Sequence, residues 1–245
     1  MSTAAVAVRR GSRLRPKYLI FGLVGLMILY VLGHNEYFLI DSRAEVWHHY
    51  EPFKWWLLPH GLAGACAILL GPMQFSTRLR QRYTKLHRVV GRIYIAGAMV
   101  AAPLGAYIQY FLERSGGTRT FTAAAVVDAL LLMLTTGIAF AFILKGKVEL
   151  HRQWMTRSLA VALVFLEVRV IAGLTGWEKL GPGAVEAIVW GCLAFSILAA
   201  DVVLQAQEYF VDQGRGLKGM VGAFAGEPLA RERSKLVVDG HKPGI

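Results

Sequence analysis

Six stretches of this chain are apolar over membrane-spanning lengths: residues 18–32, 55–73, 89–111, 121–144, 158–174 and 184–205. A helix needs about 20 largely apolar residues to cross a bilayer. The fifth stretch has an amphipathic lead-in beginning at His151. Short polar connections separate the stretches, so consecutive helices are expected to be antiparallel neighbours. The pattern predicts an all-α integral membrane domain of six transmembrane helices over residues 18–210. Spans 2–5 form its central four-helix core. A basic tail, 1–17, precedes it, and the polar, Gly-rich stretch 211–245 reads as a disordered tail.

Charge supplies the orientation. The net charge is +11, with 18% charged and 55% hydrophobic residues and a mean hydropathy of +0.45. Basic residues gather in the N-tail (Arg9 to Lys17), between spans 2 and 3 (Arg78 to Arg92), between spans 4 and 5 (Lys145 to Arg157) and after span 6 (Arg215 to Lys242). The intervening loops hold Glu36, Asp41, Glu45, Glu51, Glu113 and Glu178. This alternation places both termini in the cytoplasm by the positive-inside rule. The excess positive charge then meets anionic lipid head groups rather than nucleic acid. Span 1 reads as a retained anchor rather than a cleaved signal peptide. Cys66 and Cys192 sit singly within spans and read as small apolar residues.

Inside this apolar background a few polar residues stand out. A charge in hydrocarbon costs about 2.5–3.5 kcal/mol even on lenient scales, so Asp128, Glu167 and Arg169 each require a partner or a purpose. Helical periodicity puts His60 on a stripe with Gly64, Ala67 and Gly71. It puts His87 with Gly91, Ala98, Ala102 and Gly105, so both rings are expected to face the bundle. Depth groups His60, Asp128 and Arg169 as an outer polar cluster, with Asp128–Arg169 as the expected ion pair. The bland alternative is a lock between spans 4 and 5. His87 and His151 lie at the inner boundary at similar depth. Each follows a leucine and precedes an arginine, and three matching residues are too few to establish a repeat. His48 and His49 lack partners for a metal site.

The string His60, Gly71-Pro72-Met73-Gln74-Phe75, Arg78, Arg82, His87-Arg88, Gly91-Arg92-Ile93-Tyr94, His151-Arg152-Gln153-Trp154-Met155, Arg157-Ser158 and Arg169 resembles the bacterial predicted membrane proteins grouped as domain of unknown function 2306. The resemblance covers residues 55–172. It implies a helical fold in a bacterial cytoplasmic membrane and carries no activity. A more distant architectural similarity is to cytochrome b-561, six spans with haem-ligating histidines on the central four. That similarity implies at most one b-type haem, held by His87 and His151, with Arg88, Arg92, Arg152 and Arg157 as propionate partners. The outer pair does not match, since His60 faces Asp128 rather than a histidine.

Three functions follow as expectations. The first is a one-haem redox protein passing electrons to a quinone or another membrane protein. The second is a small-solute or proton-coupled transporter built on His60, Asp128 and Arg169. The third is a non-catalytic scaffold that docks a partner on its basic loops. No Gly-rich phosphate loop, zinc-protease motif or serine nucleophile motif occurs to suggest a hydrolase.

Overall fold

In the computed structural model, residues 16–34, 51–114 and 118–238 are described, with side chains described between 18 and 210. The expectations for the N-tail, for His48 and His49, and for the extreme C-terminus lie outside the described residues. Among the described residues seven α-helices occur in order: α1 (Pro16–His34), α2 (Lys54–Leu70), the short α3 (Thr77–Arg82), α4 (Thr84–Arg114), α5 (Arg119–Leu144), α6 (Val148–Thr175) and α7 (Pro182–Val238). Five helical segments are long and apolar enough to cross a membrane, and α1 adds a shorter apolar one over Tyr18–His34. The six expected spans are therefore all helices, and the protein is an all-α multi-pass membrane protein. No strand occurs among the described residues.

The chain divides into two compact units, Met1–Leu198 and Ala199–Ile245. In the first, α2 packs along α4, α4 along α5 and α5 along α6; α6 touches α2, closing the four-helix core, and α1 lies against α6. The stretch of α7 before Leu198 packs Ile188, Val189, Cys192 and Leu193 against Ala124 of α5 and Val164, Val168 and Ala172 of α6. In the second unit, helix continues to Val238 across the polar stretch whose composition suggested disorder.

The turns explain where the helices stop. Gly71 opens a 3-10 turn over Pro72–Phe75, and Ser76 caps α3 by accepting a hydrogen bond from the Leu79 amide at 3.3 Å. Gly146, at φ +70°, makes the tight corner between α5 and α6. Both corners lie on one side of the bundle, called the corner face below. The helices α4 and α6 both start there and run the same way.

Lipid-facing positions carry large apolar residues: Leu62 is 71% exposed and Leu130 62%. With no surrounding water, such exposure is what a bilayer requires. Trp55, Trp56, Tyr107, Tyr110 and Trp177 are exposed toward the end remote from the corners, as an aromatic belt would be. Trp154, near the corner face, is partly buried against the core, with the Arg157 guanidinium 5.1 Å from its ring centre.

Candidate functional site

Polar side chains occupy three levels along the interior of the four-helix core. At the corner face are the two histidines expected there. His151, in the first turn of α6, donates its Nδ1 proton to the Ala139 carbonyl of α5 at 2.8 Å. A carbonyl only accepts, so this bond sets the tautomer and leaves Nε2 as an acceptor. His87, in the first turn of α4, is held differently. With its amide oriented so that both ends are satisfied, Gln74 donates to His87 Nδ1 at 3.0 Å and to the His87 carbonyl at 3.2 Å. Its oxygen accepts from the Gly91 amide at 3.3 Å. A neutral His87 that accepts at Nδ1 carries its proton on Nε2. His87 lies within electrostatic range of His151, Arg80 and Arg88. In this orientation of Gln74, the two corner-face histidines, when neutral, carry their protons on opposite ring nitrogens.

The Gly-Pro-Met-Gln-Phe turn earns its place through this contact. Gln74 is buried, and a Cβ on Gly91 would stand 3.2 Å from its side-chain amide. Glycine at 91 lets the side chain reach the first turn of α4.

Two helical turns deeper, about 10 Å along α4 and α6, lies a cluster of hydroxyls that the sequence reading did not identify. Tyr94 Oη and Ser158 Oγ are hydrogen-bonded at 2.7 Å, and Ser158 Oγ and Thr136 Oγ1 at 2.7 Å. All three residues are fully enclosed. They join α4, α5 and α6 at one point. Tyr94 and Ser158 are 64 residues apart, the same separation as His87 and His151. The two Leu-His-Arg corners therefore continue into matched positions that touch, which gives the faint repeat a structural counterpart.

The third level lies about 10–13 Å deeper again. His60 Nδ1 donates to the Ala101 carbonyl of α4 at 2.9 Å, and its ring lies over Gly105. The expected inward face of His60 is borne out, as is the role of small residues in admitting it. Glu167 accepts from Ser196 of α7 at 2.9 Å. Asp128 is buried on α5, and its Oδ1 has no hydrogen-bond partner among the described residues.

The expected Asp128–Arg169 ion pair is not formed: none of the ion pairs among the described residues joins them. The reason is helical phase. Val164, Val168 and Ala172 occupy the α6 face that meets Ala124, one turn from Asp128 on α5. Arg169, 100° around from Val168, is exposed outside that face. His60, Asp128 and Glu167 share a level, and Arg169 does not join them.

A bis-histidine haem needs an Nε2 lone pair from each ring. His151 presents one, and His87, in the tautomer that Gln74 enforces, presents a proton. The propionate candidates are dispersed: Arg152 pairs with Glu149 at 2.9 Å, Arg157 covers Trp154, and Arg88 and Arg92 are exposed. No group of three or more His, Cys, Asp or Glu is placed to hold a metal ion among the described residues.

A family model described as "Predicted membrane protein (DUF2306)" matches residues 57–204. No curated protein and no solved structure matches the chain.

Proposed function

The chain belongs to this family of predicted membrane proteins, and we propose that it conducts protons across a membrane through the polar interior of its four-helix core. The observation that carries this is Asp128. An acidic group enclosed in a membrane helix bundle, with an oxygen that has no hydrogen-bond partner and no ion pair among the described residues, is costly as a structural element. It is suited to taking up and releasing a proton. The route begins at the His87–His151 pair, where one ring offers a proton and the other a lone pair. It passes the Tyr94–Ser158–Thr136 hydroxyls, each able to donate and accept, and reaches Asp128 beside the levels of His60 and Glu167. Steps of about 10–12 Å exceed one hydrogen bond, so mobile water between levels completes the path. The paired corners fit the internal repeats from which transporters are commonly built. By the positive-inside rule the corner face is cytoplasmic, in a bacterial inner membrane.

Proton uptake into proteoliposomes under a potassium diffusion potential tests the reading. Wild-type protein is expected to acidify the lumen well above protein-free vesicles. Asp128→Asn is expected to cut the rate by about tenfold or more, and Asp128→Glu to retain part of it. Undiminished flux in Asp128→Asn would overturn the assignment.

The redox alternative retains one favouring observation, the proximity of the two corner-face histidines. It requires Gln74 to rotate and His87 to change tautomer. The difference spectrum between dithionite-reduced and oxidised protein, purified from haem-supplied cells, is expected to be featureless. Sharp b-type bands lost in His87→Ala would reinstate that alternative.

A further inference from the structure

A second site, separate from the proton route, lies where α1 meets the corner between α2 and α4. A crevice of about 490 Å³ opens there, with Tyr18, Phe21 and Phe75 on one wall and Arg78, Gln81 and Arg82 on the other. Its volume is in the range of small-molecule sites. The Phe21 and Phe75 rings, 6.1 Å apart at 45°, join α1 to the 3-10 turn and form its apolar side. The basic side is one face of α3. Leu79 is buried and anchors the short helix, which leaves Arg78 and Arg82, one turn apart, exposed together. The ion pairs among the described residues leave out both arginines.

The two walls differ in what they require. The α1 wall continues into lipid-facing surface, with Tyr18 57%, Leu19 64% and Leu23 60% exposed. A ligand that satisfied both walls would carry an anion at the membrane surface and hydrocarbon below it. Free phosphate meets only the arginines. We propose that this crevice binds one anionic phospholipid, its phosphodiester between Arg78 and Arg82 and an acyl chain along Tyr18 and Phe21. Two guanidiniums give bidentate recognition of phosphate oxygens, which lysines would not. A bound lipid ties α1 to the corner that carries Gln74.

Native mass spectrometry of the full chain, released from neutral detergent after incubation with phosphatidylglycerol, reads the site directly. One phosphatidylglycerol is expected to be retained where phosphatidylcholine is not, and excess inorganic phosphate is expected not to displace it. Arg78→Gln/Arg82→Gln is expected to reduce retention by about tenfold or more, since each basic contact to an anionic surface is worth about a factor of five. Lys145→Gln/Lys147→Gln, at the other corner, removes equal charge and is expected to retain the lipid. Equal loss in both variants would reduce the effect to general surface charge and overturn the proposal. Displacement by inorganic phosphate alone would overturn it in favour of a free-anion site.

Discussion

Gly97→Leu is expected to prevent α2 and α4 from packing and to leave no monodisperse protein after detergent extraction. A Cβ at position 97 would stand 2.7 Å from the Ala63 carbonyl oxygen, 3.3 Å from Cys66 Cβ and 3.4 Å from the Ala67 amide nitrogen. Two of these three neighbours are backbone, which cannot swing aside as a side chain can. Overpacking a side-chain core costs about 1–3 kcal/mol. Here the relief must come from separating two whole helices whose association depends on van der Waals contact rather than on the hydrophobic effect. The loss propagates, because His60 reaches the Ala101 carbonyl, one turn further along α4, only at this spacing. Gly64→Leu is the matched control. A Cβ on Gly64 meets nothing within 4 Å, so that variant is expected to extract and melt like the wild type. Size-exclusion profiles and thermal unfolding followed by circular dichroism compare the two. Equal tolerance of both substitutions would show that α2 and α4 do not approach as closely as described.

The contrast between these glycines marks how far the chain could be read unaided. Periodicity placed Gly64 on the inward stripe of His60, where a Cβ in fact meets nothing within 4 Å, and did not single out Gly97, which lies beneath a neighbour's backbone. The six spans were legible because length and hydropathy decide crossing without reference to any partner. The four-helix core followed from short connections. The inward direction of His60, His87 and His151 was legible at helix ends, and each reaches a neighbouring helix or turn. Partner choice was not legible. Asp128 and Arg169 have opposite charge and compatible depth, and only the phase of α6 against α5 separates them. Tyr94 and Ser158 stand in the motif string, but their meeting with Thr136 was hidden for a different reason. Single hydroxyls are common in membrane helices, where they can bond their own backbone, as Thr135 does to the Leu131 carbonyl at 2.7 Å. Their importance arises from three helices meeting at one point. The equal 64-residue spacing of the histidines and of Tyr94 and Ser158 was the available signal.

That meeting point yields the second large effect. Ser158→Ala is expected to destabilise the bundle by about 1–3 kcal/mol, because it strands both Tyr94 Oη and Thr136 Oγ1 inside an enclosed core. Interhelical hydrogen bonds in membrane bundles are individually modest, averaging about 0.6 kcal/mol, so the cost lies chiefly in the two orphaned hydroxyls. The triple variant Tyr94→Phe, Thr136→Val, Ser158→Ala removes all three hydroxyls while nearly conserving shape. It is therefore expected to melt closer to wild type than Ser158→Ala does, a strong departure from additivity. Thermal unfolding of the four single and combined variants in one detergent measures it. A triple variant whose loss equals the sum of the singles would show that the hydroxyls do not act as a unit. The same variant separates structure from conduction. With the core intact and the middle level emptied of hydroxyls, the proposed route from the histidine pair toward Asp128 loses its middle relay. Its flux is expected to fall by about tenfold or more while its fold survives. Retained flux would place the route elsewhere than through Ser158, and would leave the hydroxyl cluster as the joint that holds α4, α5 and α6 in register.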